Sequence, residues 1–119
     1  MAVTQKTAVN FSIDQGADFS KEFTVTTDGS TAYDISDLTL QAQMRKSYDS
    51  SSATATFTAS VVTGSSGIYK LVLSNSTTAD ITAGRYVYDV ELAFTDSDSN
   101  TIIERVLEGR IQVTPSVTR

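Results

Sequence analysis

Four carboxylates in the C-terminal half are the residues whose type and spacing come nearest to chemistry. Asp89 and Glu91 lie two apart in one alternating run, and Glu104 and Glu108 lie in the run that follows it. Strands paired through a hairpin would bring them close. Two carboxyl groups about 5–10 Å apart across a cleft are what a glycosidase needs. Such a cleft also wants aromatic platforms, and the chain has no Trp. Arg85, Arg105 and Arg110 sit in the same two runs, so cross-strand charge pairs on a solvated sheet face are the reading we adopt. Asp96-Ser97-Asp98-Ser99-Asn100 opens like a calcium loop. It then departs from one, with Thr101 where the sixth-position Gly should stand and Leu107 where the twelfth-position Glu should stand. We read it as a hairpin tip in which Asp and Ser supply turn geometry. Gly64-Ser65-Ser66-Gly67 lacks the Lys and the helix of a phosphate loop and reads as a turn.

Composition closes off most of the remaining chemistry. The chain has no His and no Cys. A Ser–His–Asp or Cys–His catalyst is therefore excluded, as are thiolate zinc sites, iron–sulfur clusters and disulfides. We expect no catalytic residues, no metal ligands and no cofactor. The net charge is -5, which argues against sequence-independent binding of nucleic acid. Arg45-Lys46 is an adjacent basic pair, too short for a nucleic-acid footprint. No apolar run is long enough for a membrane span, and Met1–Lys6 has no apolar signal core.

The elements that would position these residues are strands. Of 119 residues, 18 are Thr and 16 are Ser, and the apolar residues recur at every second position in short runs. Val9, Phe11 and Ile13 form the first stripe. Phe19, Phe23 and Val25 form the second, with Lys21 as an odd member on the same parity. Asp28-Gly29 signals a turn. Leu38, Leu40, Ala42 and Met44 form the third stripe; Phe57, Ala59 and Val61 the fourth, backed by Thr54, Thr56 and Thr58 on the other parity; Tyr69, Leu71 and Leu73 the fifth. A short helical turn is expected near 75–81, capped by Ser74 or Ser76, with Ala79 and Ile81 inward. The longest alternation follows, carrying Tyr86, Tyr88, Val90, Leu92 and Phe94. The last run, from Thr101 to Val113, carries Ile103, Leu107, Ile111 and Val113 on one parity, with a bulge or bend expected at Gly109.

Seven or eight such strands at this spacing predict an all-β fold. A sandwich is favoured over a closed barrel because the Asn75–Gly84 connection looks like a corner between sheets. Tyr86 and Tyr88, after the helical turn and Gly84, have the spacing of a tyrosine corner, in which a phenol hydroxyl bonds the backbone upstream. The expected core is Phe11, Phe19, Phe23, Leu40, Phe57, Leu71, Tyr88, Val90, Leu92, Ile103, Leu107 and Ile111. Residues 9–113 form the domain, 1–8 an N-terminal arm and 114–119 a C-terminal arm.

The opening Phe11-Ser12-Ile13-Asp14-Gln15-Gly16-Ala17-Asp18-Phe19, the Asp34-Ile35-Ser36 turn before Leu40-x-Ala42-x-Met44-Arg45-Lys46, the Gly84–Leu92 strand and the Arg105–Arg119 ending resemble a family of small immunoglobulin-like virion structural proteins of tailed bacteriophages. Myoviruses of cyanobacteria carry similar chains. The opening and the Asp34-Ile35 turn are also similar to the N-terminal domain of phage baseplate upper proteins. The resemblance covers about Val9 to Arg119. It implies an Ig-like antiparallel sandwich and a non-enzymatic adaptor in the tail, neck or baseplate, located in the virion. Its partners would be other virion proteins and copies of itself in an oligomer or symmetric ring, with neither nucleic acid nor membrane. A capsid decoration protein and a cell-surface or carbohydrate-binding Ig-like module are the alternatives. Arg45, Lys46, Arg85 and Arg119 are the candidate protein-contact residues, because the guanidinium fork suits interfaces.

Overall fold

The computed structural model describes residues 6–27, 31–95 and 97–117. The chain is all-β. Eight strands form: β1 (Thr7–Ala8), β2 (Phe11–Asp14), β3 (Phe19–Thr24), β4 (Thr39–Arg45), β5 (Ala55–Thr63), β6 (Ile68–Leu73), β7 (Gly84–Thr95) and β8 (Thr101–Thr114). Their hydrogen-bonded order is β1-β8-β7-β4-β5-β6-β3, and β2 also pairs with β8.

The sandwich arises because β5 belongs to both layers. Its first residues, Ala55–Phe57, pair with β4, and Thr58–Thr63 pair with β6. One layer is thus β1/β2, β8, β7 and β4, and the other is β6 and β3. Phe11 of β2 joins the layers. Its ring stacks on Phe19 of β3 at 5.2 Å and meets Tyr88 of β7 edge-on at 4.9 Å. Phe19 in turn contacts Phe57 at 6.0 Å. Such offset and edge-on pairs suit the ring quadrupoles and add to the gain from burial. Ile13, Ala42, Met44, Tyr69, Leu71, Val90, Leu92, Ile111 and Val113 are buried around them. The expected core residues Phe11, Phe19, Phe23 and Leu40 pack against this core from half-buried positions.

The ladders are not all antiparallel. β1 and β2 run parallel to β8, with Thr7 opposite Leu107 and Phe11 opposite Ile111. Thr7 and Ala8, inside the segment read from the sequence as an arm, form an edge strand. Thr114 of the other arm is the last residue of β8, and the Ser116 amide donates to Gln15 Oε1 at 3.2 Å. Met1–Gln5, the Asp28-Gly29 turn, Asp96, Thr118 and Arg119 lie outside the described residues.

A bulge corrects the parity read for the last strand. Val90 faces Leu107, but Glu91 faces Arg105, so Val106 is the extra residue. Val106 and Leu107 are both buried, and beyond them the alternation inverts. Ile103, expected in the core, is 59% exposed. Gly109, where the bulge was expected, stays in register opposite Tyr88.

The connection from β6 to β7 crosses between the layers, as its length suggests. It contains α1 (Asn75–Ala79), capped by the Ser74 side chain, which accepts from the Thr77 amide. Ile81 turns inward as expected. Thr78, not Ala79, takes the other inward position. Its hydroxyl donates to the Ala17 carbonyl and accepts from the Gly16 amide, which satisfies a buried polar group and pins the β2–β3 turn.

Candidate functional site

The outer face of the β4–β7–β8 layer gathers the residues of interest. On β7 the outward side chains are Arg85, Val87, Asp89, Glu91 and Ala93. The register sets Arg45 of β4 and Arg110 of β8 on either side of Val87, with Gln43 and Glu108 on either side of Asp89. Lys46 follows β4 directly, and its ammonium lies 4.8 Å from the centroid of the Tyr86 ring. Lys46, Arg85, Tyr86, Val87 and Arg110 line one groove. Arg85 and Arg110 are shared with a second groove that reaches Asn10, Phe11 and Ser12 of the edge. A third holds Arg45 and Tyr48, meets the first at Val87 and ends at Arg105.

Of the four contact residues named from the sequence, Arg45 and Arg85 lie on the outer face near the start of β7, and Lys46, whose ammonium lies over the buried Tyr86 ring, lines the same groove as Arg85. Arg119 lies outside the described residues. Arg110, missed from the sequence, belongs to the same group. The signal that could have found it is the hairpin register, which sets it one position diagonally from Arg85. The carboxylates Asp89, Glu91 and Glu108 lie on this open face, while Glu104 stands opposite the buried Leu92, on the other parity. Of the three arginines read as their partners, Arg105 makes the expected pairs, with Asp89 and Glu108.

The electrostatics of the face change along β7. Asp89 and Glu108 stand directly opposite each other, a like-charge arrangement that costs stability. Arg105 relieves it, with its guanidinium 3.3 Å from Asp89 and 3.6 Å from Glu108. Lys6 adds a contact to Glu108 at 3.4 Å. Toward the start of β7, Arg110 stands opposite Val87 and Arg85 lies two residues further on; neither has an acidic partner among the described residues, and neither does Lys46. Arg45 is held in place, donating to the Ser50 carbonyl at 3.0 Å and to Gln43 Oε1 at 3.1 Å. Tyr48, in the same loop, is 76% exposed.

The opposite end of the layer is acidic. Asp34 and Asp37 precede β4, Asp98 lies in the β7–β8 hairpin and Glu104 is the fourth residue of β8. Residues 31–41 and 91–104 contain no Lys or Arg. The Ser36 hydroxyl and then the Ser36 amide donate to the Asp34 carboxylate, which holds its pKa below the ordinary value.

The tyrosine corner is present. Tyr86 donates to the Thr82 carbonyl at 2.5 Å, and Tyr88 donates to Val9 at 2.6 Å. Both rings are buried, so they belong to the core and not to a sugar-stacking surface. Burial also raises the pKa of Tyr88, and burial and then Tyr88 raise that of Tyr69. In comparisons with known proteins, no family model matches the chain, and neither does any curated protein.

Proposed function

We propose that this chain is a non-enzymatic structural protein of a tailed-bacteriophage virion, an adaptor that joins neighbouring proteins in the tail, neck or baseplate. The reading rests on the resemblance of Phe11–Phe19, Gly84–Leu92 and Arg105–Arg119 to small virion sandwiches. The observation that carries it is the groove beside the outer face of β4, β7 and β8, where Lys46, Arg85 and Arg110 have no acidic partner among the described residues. Arg and Tyr suit protein interfaces, and Tyr48 stands beside this cluster. Small sandwiches repeated in symmetric copies hold firmly through many modest contacts. An adaptor needs a rigid body and a joint, and the two-layer core with its charged outer face supplies both.

Mass spectrometry of purified phage particles from the source of this gene tests the reading. The expected result is the chain in fixed stoichiometry with tail, neck or baseplate proteins after salt washing. Recovery with emptied heads alone would move it to capsid decoration. Its absence from particles would overturn the reading.

A further inference from the structure

The protein relieves the directly opposed Asp89 and Glu108 on the outer face, while the diagonal neighbours Arg85 and Arg110 have no acidic partner among the described residues. Asp89 and Glu108 share Arg105, whereas Arg110 lies two residues from Glu108 on β8, and Arg85 four residues from Asp89 on β7. Lys46 adds a third positive charge to the groove they line. In a chain of net charge -5, a carboxylate could readily have been spared for them.

We propose that this groove takes the acidic end of a second copy of this chain. The docking joins the Asp34 and Asp37 end of one copy to the Lys46, Arg85 and Arg110 groove of the next. Complementarity is built into a single chain. The segment carrying Asp34 and Asp37 has no Lys or Arg from 31 to 41, and it adjoins Thr39, which pairs with Ala93 near the far end of β7. At about 3.3 Å per residue, that end lies roughly 30 Å along the strand from Arg85. The two surfaces are different and well separated, so the contact is head-to-tail and continues from copy to copy until a ring closes or a filament grows. The molecule is elongated, 50 × 29 × 22 Å, and stacks along its length in this arrangement. The overall negative charge opposes approach over distance, but salt near 0.1 M screens that repulsion beyond about 10 Å while paired charges in contact are screened less.

This inference deepens the proposed function by naming the joint, and it is tested on the isolated protein. Sedimentation velocity is run across a concentration series in about 0.1 M and about 1 M salt. Wild type is expected to associate with rising concentration in the lower salt and to dissociate in the higher. Arg85→Glu with Arg110→Glu should be monomeric. Asp34→Asn with Asp37→Lys should also be monomeric, the Asn keeping an acceptor for the Ser36 bonds. An equimolar mixture of the two variants should give a 1:1 dimer that grows no further, because each contributes its one intact end. Circular dichroism must show the wild-type fold for both. Wild type that stays monomeric throughout, or a groove variant that associates like wild type, overturns the proposal. So does a folded pair of variants that fail to combine. A monomer in isolation that is nevertheless found in tail particles would sink this inference and leave the virion reading standing.

Discussion

The Tyr88 hydroxyl donates to the Val9 carbonyl oxygen at 2.6 Å, and so ties the segment between β1 and β2 to the middle of β7. Gly109, opposite Tyr88 on β8, makes room for this approach. A Cβ at 109 would collide with the Val9 carbonyl. The Val9 amide donates to Glu108, and Asn10 Oδ1 accepts from the Arg110 amide. The edge strand beside the cationic groove is therefore held by a few identifiable bonds.

Tyr88→Phe should remove one of them and leave the Val9 carbonyl short of a partner. The expected cost is about 1–2 kcal/mol in denaturant unfolding. Amide exchange should quicken first at Thr7–Val9. Gly109→Ala should have a larger effect on the same amides, because Val9 must move away from β8. Equal loss of protection over the whole sheet would count against this local role.

Tyr86→Phe should cost about 1 kcal/mol through the lost bond to Thr82. The effect belongs to the α1–β7 corner. Exchange should therefore rise around Thr82 and not at Val9, which separates the two tyrosines in one experiment.

The alternation of Tyr86 to Leu92 is visible in the sequence because β7 is long and regular and is paired on both sides. The parity expected of Ile103 fails because a bulge inverts it; the charge of Arg105 on the apolar parity is the sign of it in the sequence, whereas the bulge is expected at Gly109. Gly109 stands out as a break in the apolar parity, but its lack of a side chain serves the approach of Val9. The parallel pairing of β1 and β2 was also hidden, since it depends on a partner about a hundred residues away. Arg45, Lys46 and Arg85 were legible as contact candidates by type. Their convergence with Arg110 depends on register. The bulge itself is testable: Ile103→Ala should change stability by no more than about 0.5 kcal/mol. Val106→Ala should cost at least about 1 kcal/mol. The reverse order would contradict the register.

Lys21 explains its own odd parity. It lies on β3, the free edge of the second layer, on the same side as Phe19 and Phe23, and its ammonium lies 5.8 Å from the Phe23 centroid. An inward-set charge on an edge strand discourages pairing with another chain. Lys21→Val should leave the fold intact and produce concentration-dependent aggregates seen by light scattering. A variant as dispersed as wild type would remove this role from Lys21.

Burial raises the pKa of Tyr69 and Tyr88 above the ordinary phenol value. A raised folded pKa means that the native state holds the proton more tightly than the unfolded chain. Their contribution to stability is complete below the unfolded value, near pH 10, and is lost as pH rises from there toward the folded values. Unfolding midpoints should therefore fall steeply above about pH 10. Tyr69→Phe should make the fall shallower; an unchanged slope would show that this phenol does not drive it.

In the proposed virion role, the outer face of β4, β7 and β8 is where this sandwich would grip its neighbours. Density for an intact tailed particle from the source of this gene, resolved well enough to place the sandwich, tests it most directly. The account predicts symmetric copies in the tail, neck or baseplate, with Lys46, Arg85 and Arg110 covered by carboxylates of an adjoining molecule. A particle without the chain, or with that face turned to solvent in every copy, would contradict it.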